Sequence, residues 1–276
     1  MKIDFMFLDI DGTLVDSCGN ISFYTKNVLK KCELFGIKIV LISGRSFPDL
    51  MRLMDELGIN AILVSDNGSI IYDSKNDKFI KKLSISKSLV IKIFDICKKF
   101  KIDSIFNSIS KRYRLFFDLN KDEKESYDLE VSDFSSICEN CDEIFQIVLL
   151  SFDKSRFLSA VNELSGMNIS INNLSIDKSV INLMDIDNIN SSKGNAIDII
   201  FKYFNSKNNS SICFGDGIND VSMFEKCKYK VAMKNGVSSL KRNASYITKF
   251  DNNENGVANF ILEYLTFDNA FNDTKS

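Results

Sequence analysis

The chain has 276 residues, of which 45% are hydrophobic and 26% are charged, and these fractions argue against a largely disordered or fibrous protein. Its 35 basic and 37 acidic residues give a formal net charge of −2, so there is no overall basic excess to hold a nucleic acid or an anionic membrane. Histidine is absent, which excludes Ser-His-Asp hydrolysis and histidine-ligated zinc.

The seven cysteines are odd in number and lie mostly in apolar segments, as is typical of reduced thiols. Cys138 and Cys141 form a single C-x-x-C pair, but zinc would require two more ligands, so we interpret the pair as structural. Neither a secretory leader nor an apolar run of roughly 20 residues is visible. We therefore expect a cytoplasmic protein that binds neither nucleic acid nor membrane; the sequence makes no prediction of its oligomeric state.

The first quarter of the chain alternates apolar runs with helical patterns, which is typical of a parallel sheet covered by helices on both faces. The predicted strands are Phe5–Leu8, Ile37–Ile42 and Ala61–Val64, and the predicted helices are Phe23–Phe35 and Phe47–Leu57. Ligands bind beyond the carboxyl ends of such strands. Asp9, Ser43 and Asn67 all follow strand ends, so we expect them to meet at one edge of the sheet.

The pattern changes after Asn67, where locally paired strands with few helices predict a separate antiparallel α+β unit. The predicted strands are Ile70–Tyr72, Phe79–Leu83, Ile102–Phe106, Tyr113–Phe117, Ile144–Phe152, Ile169–Ile171 and Val180–Met184, and the predicted helices are Ser84–Phe100 and Lys154–Leu164. The polar stretch 120–143 contains no readable pattern.

The parallel pattern resumes at Lys193. The predicted helices are Lys193–Phe204, Val221–Glu225, Val237–Asn243 and Asn259–Leu265, and the predicted strands are Ser211–Phe214 and Tyr229–Met233. The polar tail beyond the last helix is expected to fray. The fold class is therefore α/β, a Rossmann-like doubly wound parallel sheet formed by residues 1–82 and 188–276, with an α+β domain inserted at 83–187.

The strongest chemical signal is the segment Asp9-Ile10-Asp11-Gly12-Thr13, directly after an apolar strand. Two carboxylates two positions apart at a strand end point into nearly the same space, and their repulsion favours a divalent cation or a protonated partner. In isolation, such a pair is equally compatible with a capped turn. A second acidic segment, Gly215–Asp220, also follows a buried strand and favours the metal. Oxygen ligands without histidine predict Mg²⁺ and not zinc.

Two further segments offer contacts to an anion. Ser43 and Gly44 supply a hydroxyl and backbone N–H groups, and Lys193 begins a helix, where the dipole is positive. Each feature is common alone, since most lysines are solvated surface residues. Together they predict a phosphate cradle that faces a metal and a carboxylate nucleophile.

In this order and spacing, the residues resemble the haloacid dehalogenase superfamily of phosphotransferases. Its four motifs are similar to Asp9-x-Asp11-Gly12-Thr13, Ser43, Lys193 and Gly215-Asp216-Gly217-x-Asn219-Asp220. The Cof-type subfamily is similar in Ser43-Gly44-Arg45, Asn67-Gly68, Ser192-Lys193-Gly194 and Asn255-Gly256-Val257-Ala258. In that family, the insert between the second and third motifs is a cap of type C2.

The resemblance implies a role for each matched residue. Asp9 attacks phosphorus and forms an aspartyl-phosphate, while Asp11 protonates the leaving alcohol and then activates water. Mg²⁺ is held by the carboxylates of Asp9 and Asp216 and by the backbone carbonyl of Asp11. The phosphoryl group is held by Ser43, Gly44, Lys193 and Asn219. The supporting residues are Asp220, Arg45, Asn67 and Thr13; Arg45 either orients its loop or meets the substrate.

The expected function is a Mg²⁺-dependent phosphatase that acts on small phosphorylated metabolites, with sugar phosphates as the expected class. Within the superfamily, pure dehalogenases lack a carboxylate at the position of Asp11, so its presence favours phosphoryl chemistry. One alternative is a phosphomutase of the phosphomannomutase type, which would depend on a bisphosphate activator. The other is a non-catalytic protein that binds a phosphorylated metabolite.

Overall fold

The computed structural model describes residues 1, 3–119, 125–139, 143–176, 181–207 and 210–265. The strands are β1 (Phe5–Leu8), β2 (Lys38–Ile42), β3 (Ile62–Ser65), β4 (Ile70–Asp73), β5 (Lys78–Lys82), β6 (Asp103–Asn107), β7 (Arg112–Leu115), β8 (Asp128–Glu130), β9 (Gln146–Ser151), β10 (Ile169–Ser175), β11 (Asn182–Asn188), β12 (Ser211–Gly215), β13 (Tyr229–Ala232) and β14 (Tyr246–Ile247). The helices are α1 (Phe23–Leu34), α2 (Phe47–Leu57), α3 (Lys87–Phe100), α4 (Ser135–Glu139), α5 (Lys154–Leu164), α6 (Lys193–Tyr203), α7 (Val221–Phe224), α8 (Ser238–Arg242) and α9 (Gly256–Tyr264).

Eight strands form the larger sheet, which we call the core sheet, in the order β14-β13-β12-β1-β2-β3-β4-β5. Its strands are parallel from β14 to β3, whereas β4 and β5 are added antiparallel at one edge. Alternate residues of β1 face opposite sides: Met6 and Leu8 join the apolar cluster that includes α1, α2 and α9, and Phe5 and Phe7 pack with α6. Burial on both faces explains why β1 is apolar throughout, and the predicted α/β fold is confirmed.

Six strands form a second sheet, which we call the cap sheet, in the order β10-β11-β9-β6-β7-β8. All of its neighbours are antiparallel except β7 and β8, which are parallel. Helices α3 and α5 cover one face through an apolar cluster that contains Phe94, Phe106 and Phe157. The opposite face is turned toward the core sheet, because its residues Asn107 and Asp187 hydrogen-bond side chains that follow β3. The domain boundaries at 82/83 and 187/188 stay a prediction.

Helix α2 illustrates how local sequence sets the element bounds. Pro48 occupies its first turn, where a missing N–H costs nothing, and Gly58 ends it in the left-handed conformation with φ of +62°.

The predicted bounds of α2 and α5 are confirmed. Strands β8 and β14 and helix α4 were not predicted. The predicted strand start Val180, the predicted tail and Cys141 lie outside the described residues. Five other cysteines form no disulfide bond: Cys18, Cys32, Cys97, Cys213 and Cys227.

Ion pairs join the two sheets at one side of the molecule. Asp49 of α2 accepts hydrogen bonds from Arg112, at 3.2 Å, and from the Tyr127 hydroxyl, both of which belong to the cap side. Arg112 also binds Asp128 through two nitrogens, at 2.6 and 3.0 Å, which fixes the guanidinium plane. The cap sheet is thereby held over the carboxyl edge of the core sheet.

Among the described residues, no helix is long and apolar enough to cross a bilayer.

Candidate active site

A cavity of about 340 Å³ lies between the carboxyl edge of the core sheet and the cap sheet. On the core side it is lined by the predicted site residues Asp9, Asp11, Ser43, Gly44, Arg45, Asp216 and Asn219. On the cap side it is lined by Asn173, Leu183 and Asp185, none of which was predicted. The expectation that strand ends distant in sequence meet at one edge is therefore met by the structure.

Lys193 lies at the centre of a buried ionic group. Its Nζ is 2.5 Å from Asp9 Oδ1 and 2.6 Å from Asp220 Oδ1, and its side chain is only 1% exposed. Burial alone would lower the pKa of Lys193, but the charges of Asp220 and Asp9 outweigh burial and raise it. The lysine is thus held as a cation beside Asp9. It occupies the first position of α6, which Ser192 caps by accepting from the Asn195 N–H.

The turn after β12 is built around Asp220. One oxygen of this carboxylate accepts the backbone N–H groups of Asp216 and Gly217, each at 2.9 Å, while the other binds Lys193. A side chain at Gly215 would place its Cβ 2.6 Å from the Asp220 carboxylate, so the turn requires glycine there. Sequence reasoning treated Asp220 as a supporting residue, whereas the structure makes it the group that shapes this turn.

The loop after β1 separates its two aspartates. Asp9 is buried against Lys193, but the Asp11 side chain is 62% exposed and binds Arg45 through two nitrogens, at 2.6 and 2.9 Å. The close carboxylate neighbours of Asp9 are Asp220 and Asp216, which differs from the expectation that Asp9 and Asp11 repel one another at short range. The reason is that Arg45 draws Asp11 toward β2. Arg45 both binds Asp11 and lines the cavity, so the two roles weighed for it, orienting its loop or meeting the substrate, both stay predictions.

Gly12 and Thr13 bring this loop against Asp216. Gly12 has a φ of +76°, and a Cβ there would overlap the Asp216 carboxylate. The Thr13 hydroxyl donates to Asp216 Oδ1 at 3.1 Å. Ser43 is buried, and its hydroxyl accepts the Arg45 N–H at 3.1 Å. These contacts fix the loops after β1, β2 and β12 relative to one another.

The acidic groups at this edge fit a divalent cation. Oxygens of Asp9, Asp216 and Asp220 all lie within 4.8 Å of one another, and they are the one such group of acidic or cysteine side chains within the described residues. Burial, together with the charge of Asp220, raises the pKa of Asp9 well above its ordinary value, and Lys193 offsets this only in part. A cation would relieve the remaining repulsion, and an all-oxygen donor set suits Mg²⁺.

Comparison with known proteins gives the family. A model of the haloacid dehalogenase-like hydrolases, Hydrolase_3, matches residues 6–261. The chain belongs to this family. Among curated relatives, it is 24% identical to the 5-amino-6-(5-phospho-D-ribitylamino)uracil phosphatase YwtE of Bacillus subtilis, in an alignment that covers 94% of this chain and 97% of YwtE. It is likewise 24% identical to the phosphatase YwpJ of Bacillus subtilis, in an alignment that covers 94% of this chain and 98% of YwpJ.

Solved structures show the same fold. A haloacid dehalogenase-like hydrolase from Bacillus subtilis superposes with a TM-score of 0.81 at 22% identity, covering 96% of this chain and 100% of the other. The sugar phosphatase BT4131 superposes with a TM-score of 0.75 at 23% identity, covering 95% of this chain and 98% of the other. The predicted family and the predicted enzyme class are confirmed: this haloacid dehalogenase-like hydrolase is a phosphatase.

In this phosphatase, a buried polar network connects the core sheet to the cap sheet. Asn67 Nδ2 donates to Asp185 at 3.3 Å and to Asp187 at 3.2 Å, and Asn107 Nδ2 donates to Asp66 at 3.2 Å. Asp66 and Asp187 are fully buried. Of these residues, only Asn67 was predicted. The sequence signal that could have found the others is in β11, where Asp185 and Asp187 alternate with Met184 and Ile186. Such alternation is typical of a strand with one polar face.

The Asp66 carboxyl makes the stability of this phosphatase depend on pH. Burial raises its pKa to about 7. A raised folded-state pKa gives stability that is fully present below about pH 4 and is lost as the pH rises through about 7. Asparagine suits the positive φ at this position. We therefore expect the free energy of unfolding of Asp66→Asn, relative to that of wild type, to increase by about 2–4 kcal/mol as the pH rises from 4 to 8.

Urea unfolding of both proteins across this pH range measures that difference. The exposed Asp198 of α6 provides the control, because Asp198→Asn makes the same chemical change away from the network. Parallel pH profiles for wild type and Asp66→Asn would contradict the prediction.

Proposed function

We propose that this phosphatase is magnesium-dependent and transfers the phosphoryl group of a small phosphorylated metabolite first to Asp9 and then to water. Sugar phosphates are the proposed substrate class. The observation that carries the proposal is the buried pair of Asp9 and Lys193, 2.5 Å apart, beneath a cavity that Asp11 also lines. A nucleophile, a cation and an acid are thereby within reach of one bound phosphoryl group.

The first step is displacement at phosphorus. A carboxylate oxygen of Asp9 forms a bond to phosphorus while the bond from phosphorus to the ester oxygen breaks, and Asp11 gives its proton to that oxygen. In the second step, Asp11 takes a proton from water as the water attacks phosphorus, and the bond to Asp9 breaks. Arg45, which binds both oxygens of Asp11, holds this carboxyl at the cavity between the two steps.

The charge of the transferring group is offset by residues around it. We assign the Ser43 hydroxyl, the Gly44 N–H, Lys193 and Asn219 to the phosphoryl oxygens. Asp9 and Asp216, with the backbone carbonyl of Asp11, would hold Mg²⁺. When bound, the ion adds positive charge beside the phosphoryl group.

The size of the cavity and the names of the relatives support the substrate class. A space of about 340 Å³ beneath the cap sheet is of the size that accommodates a small metabolite. YwtE is named for a phosphorylated ribityl compound and BT4131 as a sugar phosphatase. Both names describe a phosphate ester of a polyhydroxylated carbon chain, and we extend that chemistry to this phosphatase.

Hydrolysis of p-nitrophenyl phosphate with Mg²⁺ and with a chelator tests the reaction, and a panel of phosphorylated metabolites tests the class. We expect hydrolysis that requires Mg²⁺ and is fastest for sugar phosphates. A requirement for a bisphosphate activator would indicate the phosphomutase alternative. Absence of hydrolysis in both conditions would indicate the binding protein.

Asp216→Ala should raise the Mg²⁺ concentration needed for half-maximal activity by at least about tenfold. The reason is that a small, hard cation bound by few carboxylates loses much of its affinity when one of them is removed. Titration of activity against Mg²⁺ measures this. Asp198→Ala, at an exposed position of α6, is the control, and an unchanged titration for Asp216→Ala would refute the ligand assignment.

A further inference from the structure

The cap face that covers the cavity carries a carboxylate, Asp185, that has no part in the proposed chemistry. Side chains alternate along β11, so the neighbours of Asp185 pack into the apolar core of the cap while Leu183 and Asp185 line the cavity. Asn173 stands opposite Asp185 in the pairing of β10 with β11 and lines the cavity too. The cap therefore places one carboxylate, one amide and one apolar side chain over the cavity.

The geometry separates Asp185 from its neighbour Asp187. Asp187 is fully buried and does not line the cavity, whereas Asp185 keeps 8% of its surface exposed although the two sheets enclose it. Asp185 Oδ2 accepts a hydrogen bond from Asn67 at 3.3 Å, and the Asn173 side chain also hydrogen-bonds this carboxylate. An ionised carboxylate has about four acceptor sites and no donor, so a group bound next to it must donate. Burial raises the pKa of Asp185 to about 6, which leaves it ionised at pH 8.

We propose that Asp185 selects the alcohol that is released. It accepts hydrogen bonds from hydroxyl or ammonium groups of the leaving alcohol, and it excludes leaving alcohols that carry a second anionic group. The inference rests on the proposed phosphatase reaction and narrows its substrates to monophosphates of neutral polyols, sugars or amino alcohols.

The charges that face the cavity support this selection. The carboxylates that line the cavity are Asp9, Asp11, Asp185 and Asp216, and the cation that lines it is Arg45; Lys193 lies buried behind Asp9. Arg45 is bound to Asp11, and Lys193 is shared by two carboxylates. Among the described residues that line the cavity, the cap side contributes no cation. A second anion on the leaving alcohol would therefore face Asp185 without a partner, in a site where water screens charge poorly.

A series of three substrates tests the charge selection, because their leaving alcohols are similar in size and differ in charge. Phosphoethanolamine releases a cationic alcohol, glycerol phosphate a neutral one and phosphoglycerate an anionic one. At pH 8 with Mg²⁺, we expect wild-type kcat/KM for phosphoglycerate to be at least about tenfold below the other two. Asp185→Asn should bring the three values within about threefold, mainly by lowering the KM for phosphoglycerate.

Asp187→Asn is the matched control, since it makes the same change on the same strand face outside the cavity, and it should keep the wild-type ranking. Hydrolysis of p-nitrophenyl phosphate reports that each variant is folded and active. If Asp185→Asn does not fold, Asp185→Ser is compared in the same way, and the wild-type ranking is a test by itself.

The outcomes separate this inference from the proposed function. Equal hydrolysis of phosphoglycerate and glycerol phosphate by the wild type would overturn the role of Asp185. So would an unchanged ranking in an active Asp185 variant. Failure of the wild type to hydrolyse p-nitrophenyl phosphate in the presence of Mg²⁺ would instead contradict the proposed reaction.

Discussion

Asp9→Asn should lower phosphatase turnover at least about a thousandfold while the protein stays folded. A neutral amide cannot displace the alcohol from phosphorus as a carboxylate does. The fold should persist because asparagine has nearly the same shape and because Lys193 keeps Asp220 as its partner at 2.6 Å. Removing the charge at this position also relieves its repulsion with Asp220 and Asp216.

Turnover of p-nitrophenyl phosphate at saturating Mg²⁺, measured beside thermal unfolding, gives both quantities. Asp198→Asn, at an exposed position of α6, controls for the loss of a carboxylate as such. Turnover of Asp9→Asn within about tenfold of wild type would remove Asp9 as the nucleophile. Turnover lost together with the folded state would show that the substitution acts on stability and not on chemistry.

The core sheet was readable from sequence because burial on both faces leaves a strong local pattern. Strand β1 is apolar at every position and β3 at every position but its last, and the helices between them end at residues with a clear local reason, such as Gly58. Three of the four motifs follow the core strands β1, β2 and β12, and Lys193 begins α6, so the strand pattern predicted that the first, second and fourth motifs lie at one edge of the sheet. The same reasoning could not foresee that Arg45 would draw Asp11 away from Asp9, since side-chain direction depends on contacts made across the sheet.

The cap sheet was harder to predict because polar pairing replaces apolar patterning. Strand β8 is held by ion pairs from Arg112 to Asp128 and has no apolar pattern to mark it. Strand β11 was expected to end at Met184, but it stays paired with β10 as far as Asn188, and the Asp185 and Asp187 side chains accept hydrogen bonds from Asn67, beyond the end of β3. A sequence pattern records the residue types on a strand face, but it does not record which distant side chains satisfy them.

Lys193→Met should lower both the stability and the activity of the phosphatase. Methionine matches the length of the lysine stem, but it leaves Asp9 and Asp220 facing one another at a buried site without their shared cation. Removing one partner of a buried ionic group costs about 3–5 kcal/mol of unfolding free energy. Activity should fall as well, because the positive charge beside the phosphoryl group is lost.

The pH dependence of that stability loss distinguishes charge from packing. Burial and the charge of Asp220 already raise the pKa of Asp9, and Lys193 opposes this. Without the lysine, the folded-state pKa of Asp9 rises further, so stability is lost as the pH rises through it. In metal-free buffer, the deficit of Lys193→Met in urea unfolding should therefore be larger at pH 8 than at pH 5. Lys202→Met, at an exposed position on the same helix, should show almost no deficit at either pH. An equal deficit for Lys193→Met at both pH values would assign the effect to packing around the lysine stem.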